Sequence, residues 1–147
     1  MINRLREKGV GDLLKCIQCG SCTSTCIVNL VDEKFNPRRI IGSIIRLNRL
    51  PDQDPWLCSA CSLCVERCPQ GVNPFSIIVS LRTIRYENGN ALPNKVIELI
   101  EQVKKTGLAF PLSKEVKEKR KLLGLPEFGL SEEGLSEVRR ILLEAGV

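Results

Sequence analysis

Eight cysteines, in two runs of identical spacing, constrain this chain more than any other feature. Cys16, Cys19, Cys22 and Cys26 read C-x2-C-x2-C-x3-C, and Cys58, Cys61, Cys64 and Cys68 repeat that spacing 42 residues later, with Pro69 directly after. Four thiols within eleven residues, twice over, are the sequence form of a pair of 4Fe–4S clusters. Three cysteines at x2 spacing wrap three corners of one cube, because a short loop turning into a helix points them inward. The fourth lies beyond that turn, and in the two-cluster pattern it ligates the other cluster. The expected ligand sets are therefore Cys16, Cys19, Cys22 and Cys68 for one cluster, and Cys58, Cys61, Cys64 and Cys26 for the other. Pro69 serves as a stop that turns the chain away after the last ligand.

Other uses of the thiols fit less well. Zinc sites usually pair two CxxC units across a longer gap, often with histidine, and this chain has no histidine. Disulfides need an oxidising compartment, yet the N-terminus Met1-Ile2-Asn3-Arg4-Leu5-Arg6-Glu7 has no apolar signal core, which points to the cytoplasm. A purely structural pair of clusters is the plainer alternative, since clusters also staple folds; shared ligands favour a wire over a staple.

The formal charge is +5, from 22 basic and 17 acidic side chains. Each oxidised cube brings about −2 with its four thiolates, leaving the loaded protein near about +1. The basicity is thus largely a counter-charge to the cofactors. Basic pairs such as Arg38-Arg39, Lys104-Lys105 and Arg139-Arg140 are scattered, and six aromatic residues are too few to interleave with them, so nucleic-acid binding is not expected. No apolar run approaches the ~18 residues of a membrane span, so any membrane attachment would come through a partner.

The scaffold reads as helical. Asn36-Pro37 and Asn73-Pro74 are both cap-then-proline entry signals. The first opens a stripe of Ile40, Ile41, Ile44, Ile45 and Leu47; the second opens Phe75, Ile77, Ile78, Leu81 and Ile84, ending near Asn88-Gly89. A third stripe, Val96, Ile97, Leu99, Ile100 and Val103, begins after Pro93 and stops at Gly107. No alternating strand pattern appears, which favours an all-α ferredoxin over the compact β-containing kind. The expected organisation is a helical ferredoxin domain over residues 1–106 and a helical extension over 107–147. Pro111, Gly124, Pro126, Gly129 and Gly134 punctuate that extension, and Lys114 to Lys121 is a charged helical stretch. Ser131 caps a last helix with Leu135, Val138, Ile141, Leu142 and Ala145 on one face. That face either packs on the chain itself or lies across a partner.

Small residues beside the ligands allow backbone N–H groups to approach cluster sulfur, which raises reduction potential: Gly20, Ser21, Thr23, Ser24 and Thr25 in the first motif, and Ser59, Ala60 and Ser62 in the second. Lys15 and Arg67 would act in the same direction, unless they are only solvated charges. Trp56, just before Cys58, either shields a cluster or is simply packed.

Taken together, Cys16-Ile17-Gln18-Cys19-Gly20-Ser21-Cys22, Asn36-Pro37-Arg38-Arg39, Trp56-Leu57-Cys58, Glu66-Arg67-Cys68-Pro69 and the Arg120-Lys121-Leu122-Leu123-Gly124-Leu125-Pro126 run resemble the C-type subunit of heterodisulfide reductase. The resemblance covers nearly the whole chain and implies an α-helical ferredoxin fold with two 4Fe–4S clusters on the eight cysteines. It also implies a complex with a flavin-bearing A-type subunit and a B-type subunit whose CCG motifs hold the disulfide-cleaving centres. The C-type subunit would then pass single electrons to or from that B-type subunit. One departure is Ile27, where the pattern often places proline after the fourth cysteine. Other hosts for the same relay are a sulfur-oxidising heterodisulfide reductase-like complex or a membrane-bound respiratory one; a binding or sensing module is the reading without relay. The residues themselves exclude several relatives and activities. No cysteine remains for a plant-type 2Fe–2S site, no Cys-Cys pair occurs, and Gly9-Val10-Gly11 stops short of a dinucleotide fingerprint. With no histidine and no spare cysteine there is no candidate nucleophile, so the chain reads as an electron-transfer subunit and not a complete enzyme.

Overall fold

The computed structural model describes residues 1–110 and 112–146; Pro111 lies outside them. The protein is all-α, with no strand among the described residues. In chain order the helices are α1 (Ile2–Glu7), α2 (Ser21–Ser24), α3 (Ile27–Val31), α4 (Pro37–Leu47), α5 (Leu63–Glu66), α6 (Pro74–Glu87), α7 (Asn94–Thr106), α8 (Lys114–Leu122) and α9 (Glu132–Glu144). Among the described residues no helix is long and apolar enough to cross a membrane.

The chain divides into two units, Met1–Ala91 and Leu92–Val147. This boundary falls before α7, whereas the sequence reading placed it after Thr106 and kept α7 with the ferredoxin domain. The reason is α7's partner: it packs on α9, and Arg139 Nε donates to the Lys104 carbonyl at 2.9 Å. An apolar stripe shows that a helix has a face to cover, not what covers it.

In the first unit the Asn-Pro signals act as their chemistry requires. Asn36 Oδ1 accepts from Arg39 N at 3.0 Å and Asn73 Oδ1 from Ser76 N at 2.8 Å, satisfying N–H groups that a helix start leaves without partners. Proline follows at the first helical position of both. Ile40, Ile41 and Ile44 of α4 meet Ile77, Ile78, Leu81 and Ile84 of α6 in the core, each at most 2% exposed. Each such side chain contributes about 1.5–3 kcal/mol of burial. Leu47 ends its stripe on the outside, 57% exposed.

Alone, α1 is too short to be stable. It is held by Leu5, fully buried, and by Arg4 and Lys8, which reach Glu87 on α6 at 3.0 and 2.5 Å. The Lys8 ammonium, and after it the Arg4 guanidinium, hold the Glu87 carboxyl below its ordinary range. A lowered carboxyl stabilises the folded state above its unfolded pKa, about 4.3, and that stabilisation is lost as pH falls through the folded value. Glu87→Gln is therefore expected to lower the thermal midpoint at pH 7, with the gap to the native chain closing on acidification below about pH 4. A gap independent of pH would show that the ion pairs are not its source.

Two arginines of α6 carry the approach to the second motif. Arg85 Nη2 donates to the carbonyls of Pro51, Asp52 and Gln53 at 2.8, 3.2 and 3.0 Å. Arg82 donates from Nε to the Pro55 carbonyl at 3.1 Å and from Nη2 to the Cys58 carbonyl at 2.7 Å, and lies 4.9 Å over the Trp56 ring. Irregular loops leave carbonyls that a sheet or helix would otherwise pair, and guanidinium groups with several donors meet that need.

The second unit contains α7, α8 and α9. Ser113 and Ser131 cap α8 and α9, accepting from Val116 N and Gly134 N. Leu135, Val138 and Leu142 of α9 are half-buried, while Ile141 is 58% exposed. Among the described residues, every buried core residue belongs to the first unit.

Candidate metal centre

The two cysteine motifs fold into the same backbone path. A 3-10 turn leads into each, Asp12–Lys15 before Cys16 and Pro55–Leu57 before Cys58. A single turn of helix then occupies equivalent residues, α2 in the first motif and α5 in the second. Between them the chain passes through the left-handed region twice: at Gln18 and Gly20 (φ 58° and 90°) and at Ala60 and Ser62 (φ 57° and 61°). Three of these four lack glycine's freedom, and left-handed backbone costs about 1–2 kcal/mol at each. These turns aim successive cysteines to one side. Thr23 ties the first motif to α4: its hydroxyl donates to Asn36 Oδ1 and accepts from Arg38 N, both at 3.0 Å.

Two cavities result. One is lined by Cys16, Cys19, Cys22 and Cys68, with Ile17, Gln18, Arg38, Ile41, Pro69, Gln70 and Val72 among its walls. The other is lined by Cys26, Cys58, Cys61 and Cys64, with Val28, Phe35, Pro37, Phe75 and Ile78. Each takes three cysteines from one motif and the fourth from the other. Their atom-free spaces, which take in open solvent, are ≈ 360 and ≈ 330 Å³. Among the described residues no three Cys, Asp or Glu side chains converge as a single ion requires. A cubane takes one thiolate at each of four iron corners, so its ligands stand around a volume, and an all-sulfur donor set of four suits it.

All eight cysteines are free. Cys26 is the most enclosed, 9% exposed, while Cys19 and Cys61 lie at the surface. Burial pushes the bare Cys64 thiol up to about 11, with the Cys58 thiolate adding to the rise, and burial raises Cys22 as well. Hydrogen bonding from Ser21 lowers Cys19. Cys64 and Cys22 thus ionise more readily against a cation, which couples ligation there to proton release.

Of the neighbours singled out from sequence, Ser21 Oγ lies 3.3 Å from Cys19 Sγ. Lys15 is paired with Asp12 at 2.6 Å in solvent, and neither it nor Arg67 lines a cavity. Trp56 is packed under Arg82 and is not among the lining residues of the second cavity. Sequence reasoning missed Gln18, whose Nε2 donates to Cys16 Sγ at 3.3 Å, Arg38 in the first cavity wall, and Arg82 behind Cys58. Comparing the repeats residue by residue would have exposed the first, since Gln18 aligns with Ala60.

Residues 12–72, which hold all eight cysteines, match the family described as a 4Fe-4S dicluster domain. The class is therefore that of iron–sulfur proteins built around paired cysteine motifs. The chain is 40% identical over 130 residues to the C-type subunit of the ferredoxin:CoB-CoM heterodisulfide reductase of Methanosarcina mazei, covering 85% of this chain and 77% of that one. It is 33% identical over 145 residues to a protein of Archaeoglobus profundus described as like the C-type subunit of heterodisulfide reductase (94% and 76% covered). It is also 33% identical over 147 residues to the second C-type iron-sulfur subunit of the CoB–CoM heterodisulfide reductase of Methanocaldococcus jannaschii (95% and 77%). The chain belongs to the family of heterodisulfide reductase C-type subunits, which are iron–sulfur subunits.

Proposed function

We propose that this chain holds two 4Fe–4S clusters and relays single electrons to or from the disulfide-active B-type subunit of a heterodisulfide reductase-type complex. The observation that carries the reading is the three-plus-one grouping of cysteines in both cavities. It supports ligation of one cluster by Cys16, Cys19, Cys22 and Cys68, and of the other by Cys58, Cys61, Cys64 and Cys26. When bound, such clusters take up and release one electron each, with no bond broken in the protein. Cys26 and Cys68 cross between the motifs and hold the two sites side by side. Ile17 and Leu63 form an exposed apolar lip at each site, 61% and 41% accessible, where a partner can approach.

The relatives are subunits of multisubunit enzymes, and this chain is assigned to such a complex. Its partners in this reading are a B-type subunit with CCG motifs and a flavin-bearing A-type subunit. The extension over 107–147 is the segment assigned to docking: Phe110, Leu122 and Leu123 stand 80%, 86% and 73% exposed there. The test is anaerobic mixing of the pre-reduced chain with the B-type subunit and the CoB–CoM heterodisulfide named for the relatives. Reoxidation of the chain's clusters only when the B-type subunit is present is expected. Clusters that stay reduced would mark a structural or sensing role instead.

A further inference from the structure

The two cavities share a backbone and differ in side chains. Ser59 and Ser62 line the second where Ile17 and Gly20 stand in the first, and Arg82 reaches the Cys58 carbonyl, but among the described residues none of these three donates to a cysteine sulfur. Gln18 and Ala60 hold equivalent places in the repeat with φ of 58° and 57°. Gln18 turns its amide back and donates to Cys16 Sγ at 3.3 Å; Ala60 has no group to offer. Ser21 reaches Cys19 Sγ, whereas its counterpart is Leu63. Among the described residues no side chain donates a hydrogen bond to Sγ of Cys26, Cys58, Cys61 or Cys64. Arg38 adds a positive charge to the first cavity wall, and no charged side chain other than the cysteines lines the second. Hydrogen bonds to sulfur and nearby positive charge both favour the more negative, reduced state, and so raise reduction potential.

The Gln18 contact has its own support in α4. Gly42 lies inside that helix and is buried, where glycine costs about 1 kcal/mol relative to alanine. A Cβ at that position would come 2.8 Å from Gln18 Oε1 and 3.4 Å from its Cδ. The helix thus leaves bare backbone where the amide lies, and a side chain at position 42 would push Gln18 out of the place from which it reaches Cys16.

We infer that the cluster of the first cavity is the higher-potential member of the pair, and that Gln18, seated on Gly42, sets a share of the difference. An electron entering the protein then comes to rest among Cys16, Cys19, Cys22 and Cys68. This rests on the reading that each cavity holds a 4Fe–4S cluster, and the test separates the two.

The test is EPR of the full chain, prepared anaerobically and poised at stepped potentials with redox mediators. Two one-electron midpoints are expected. Gln18→Ala moves the upper one down: at fixed potential the reduced-to-oxidised ratio of that cluster falls about tenfold, or about 59 mV for a one-electron couple, as expected for loss of one hydrogen bond to a charged acceptor. The lower midpoint stays in place. Gly42→Ala touches no cysteine and adds helix propensity; it displaces only the far end of a flexible side chain, and moves the same midpoint the same way. Ala60→Gln gives the second motif the missing amide and raises the lower midpoint. If Gln18→Ala moves the lower midpoint or neither, or if eight irons give a single midpoint, the inference fails while the two-cluster reading stands. Fewer than two clusters in the native chain defeats that reading itself.

Discussion

Replacing Cys26 with alanine is expected to strip the cavity of Cys58, Cys61 and Cys64 while leaving that of Cys16, Cys19 and Cys22 loaded. In sequence Cys26 is only four residues from Cys22, so a ligand set read by proximity would assign it to the first cavity. The backbone directs it elsewhere. Cys26 sits at the start of α3 in extended conformation, φ −78° and ψ 111°, after the turn of α2 has ended. Its side chain lines the second cavity beside Val28 and Phe35. Loss of one thiolate from four leaves an iron corner without a protein ligand in an enclosed site. About half the iron should be lost on anaerobic purification, from about eight atoms per chain to about four, with the EPR signal of the other cluster retained. Selective loss of the first-cavity cluster would reverse the assignment.

Phe35→Ala is expected to be among the most damaging changes to a residue that ligates nothing. Phe35 is 1% exposed and forms one wall of the second cavity with Pro37, Phe75 and Ile78. Its backbone is fixed on both sides: Phe35 N donates to the Asp32 carbonyl at 3.0 Å, and its own carbonyl accepts from Asn29 Nδ2 at 2.9 Å. The void left by truncation therefore cannot collapse readily. Truncations of this kind cost about 3–5 kcal/mol through lost burial and the residual cavity. Denaturant unfolding of the anaerobic protein measures that loss, and air exposure should bleach the second cluster faster than the first. A loss below about 1 kcal/mol would show that the wall relaxes around the gap.

What was legible in the sequence had local causes. The cysteine spacing governs which thiols face one way out of a turn, and an Asn-Pro pair signals a helix start through one side-chain cap and one fixed φ. Neither needs the rest of the molecule to be read. Features that depend on contact between distant segments were not legible. The polar-flanked Leu5 becomes a fully buried core residue through packing with distant segments, while Glu87 on α6 anchors Arg4 and Lys8 beside it. The stripe of α7 was visible, but α9 as its cover was not, and so the unit boundary fell elsewhere. Gly42 reads in sequence as a flaw in a good helix; beside Gln18 it becomes room for an amide. Arg82 and Arg85 look like solvated charges on α6, and fold back to satisfy the carbonyls ahead of the second motif.

The central claim is that cysteines cross between the motifs to enclose two iron–sulfur cubes. The most direct measurement is a crystal structure of anaerobically prepared protein with anomalous diffraction recorded at the iron edge. The expected result is two four-iron peaks, one within reach of Cys16, Cys19, Cys22 and Cys68, the other within reach of Cys26, Cys58, Cys61 and Cys64. A single peak, a signal at the zinc edge, or Cys26 bound to the iron of its own motif would contradict it.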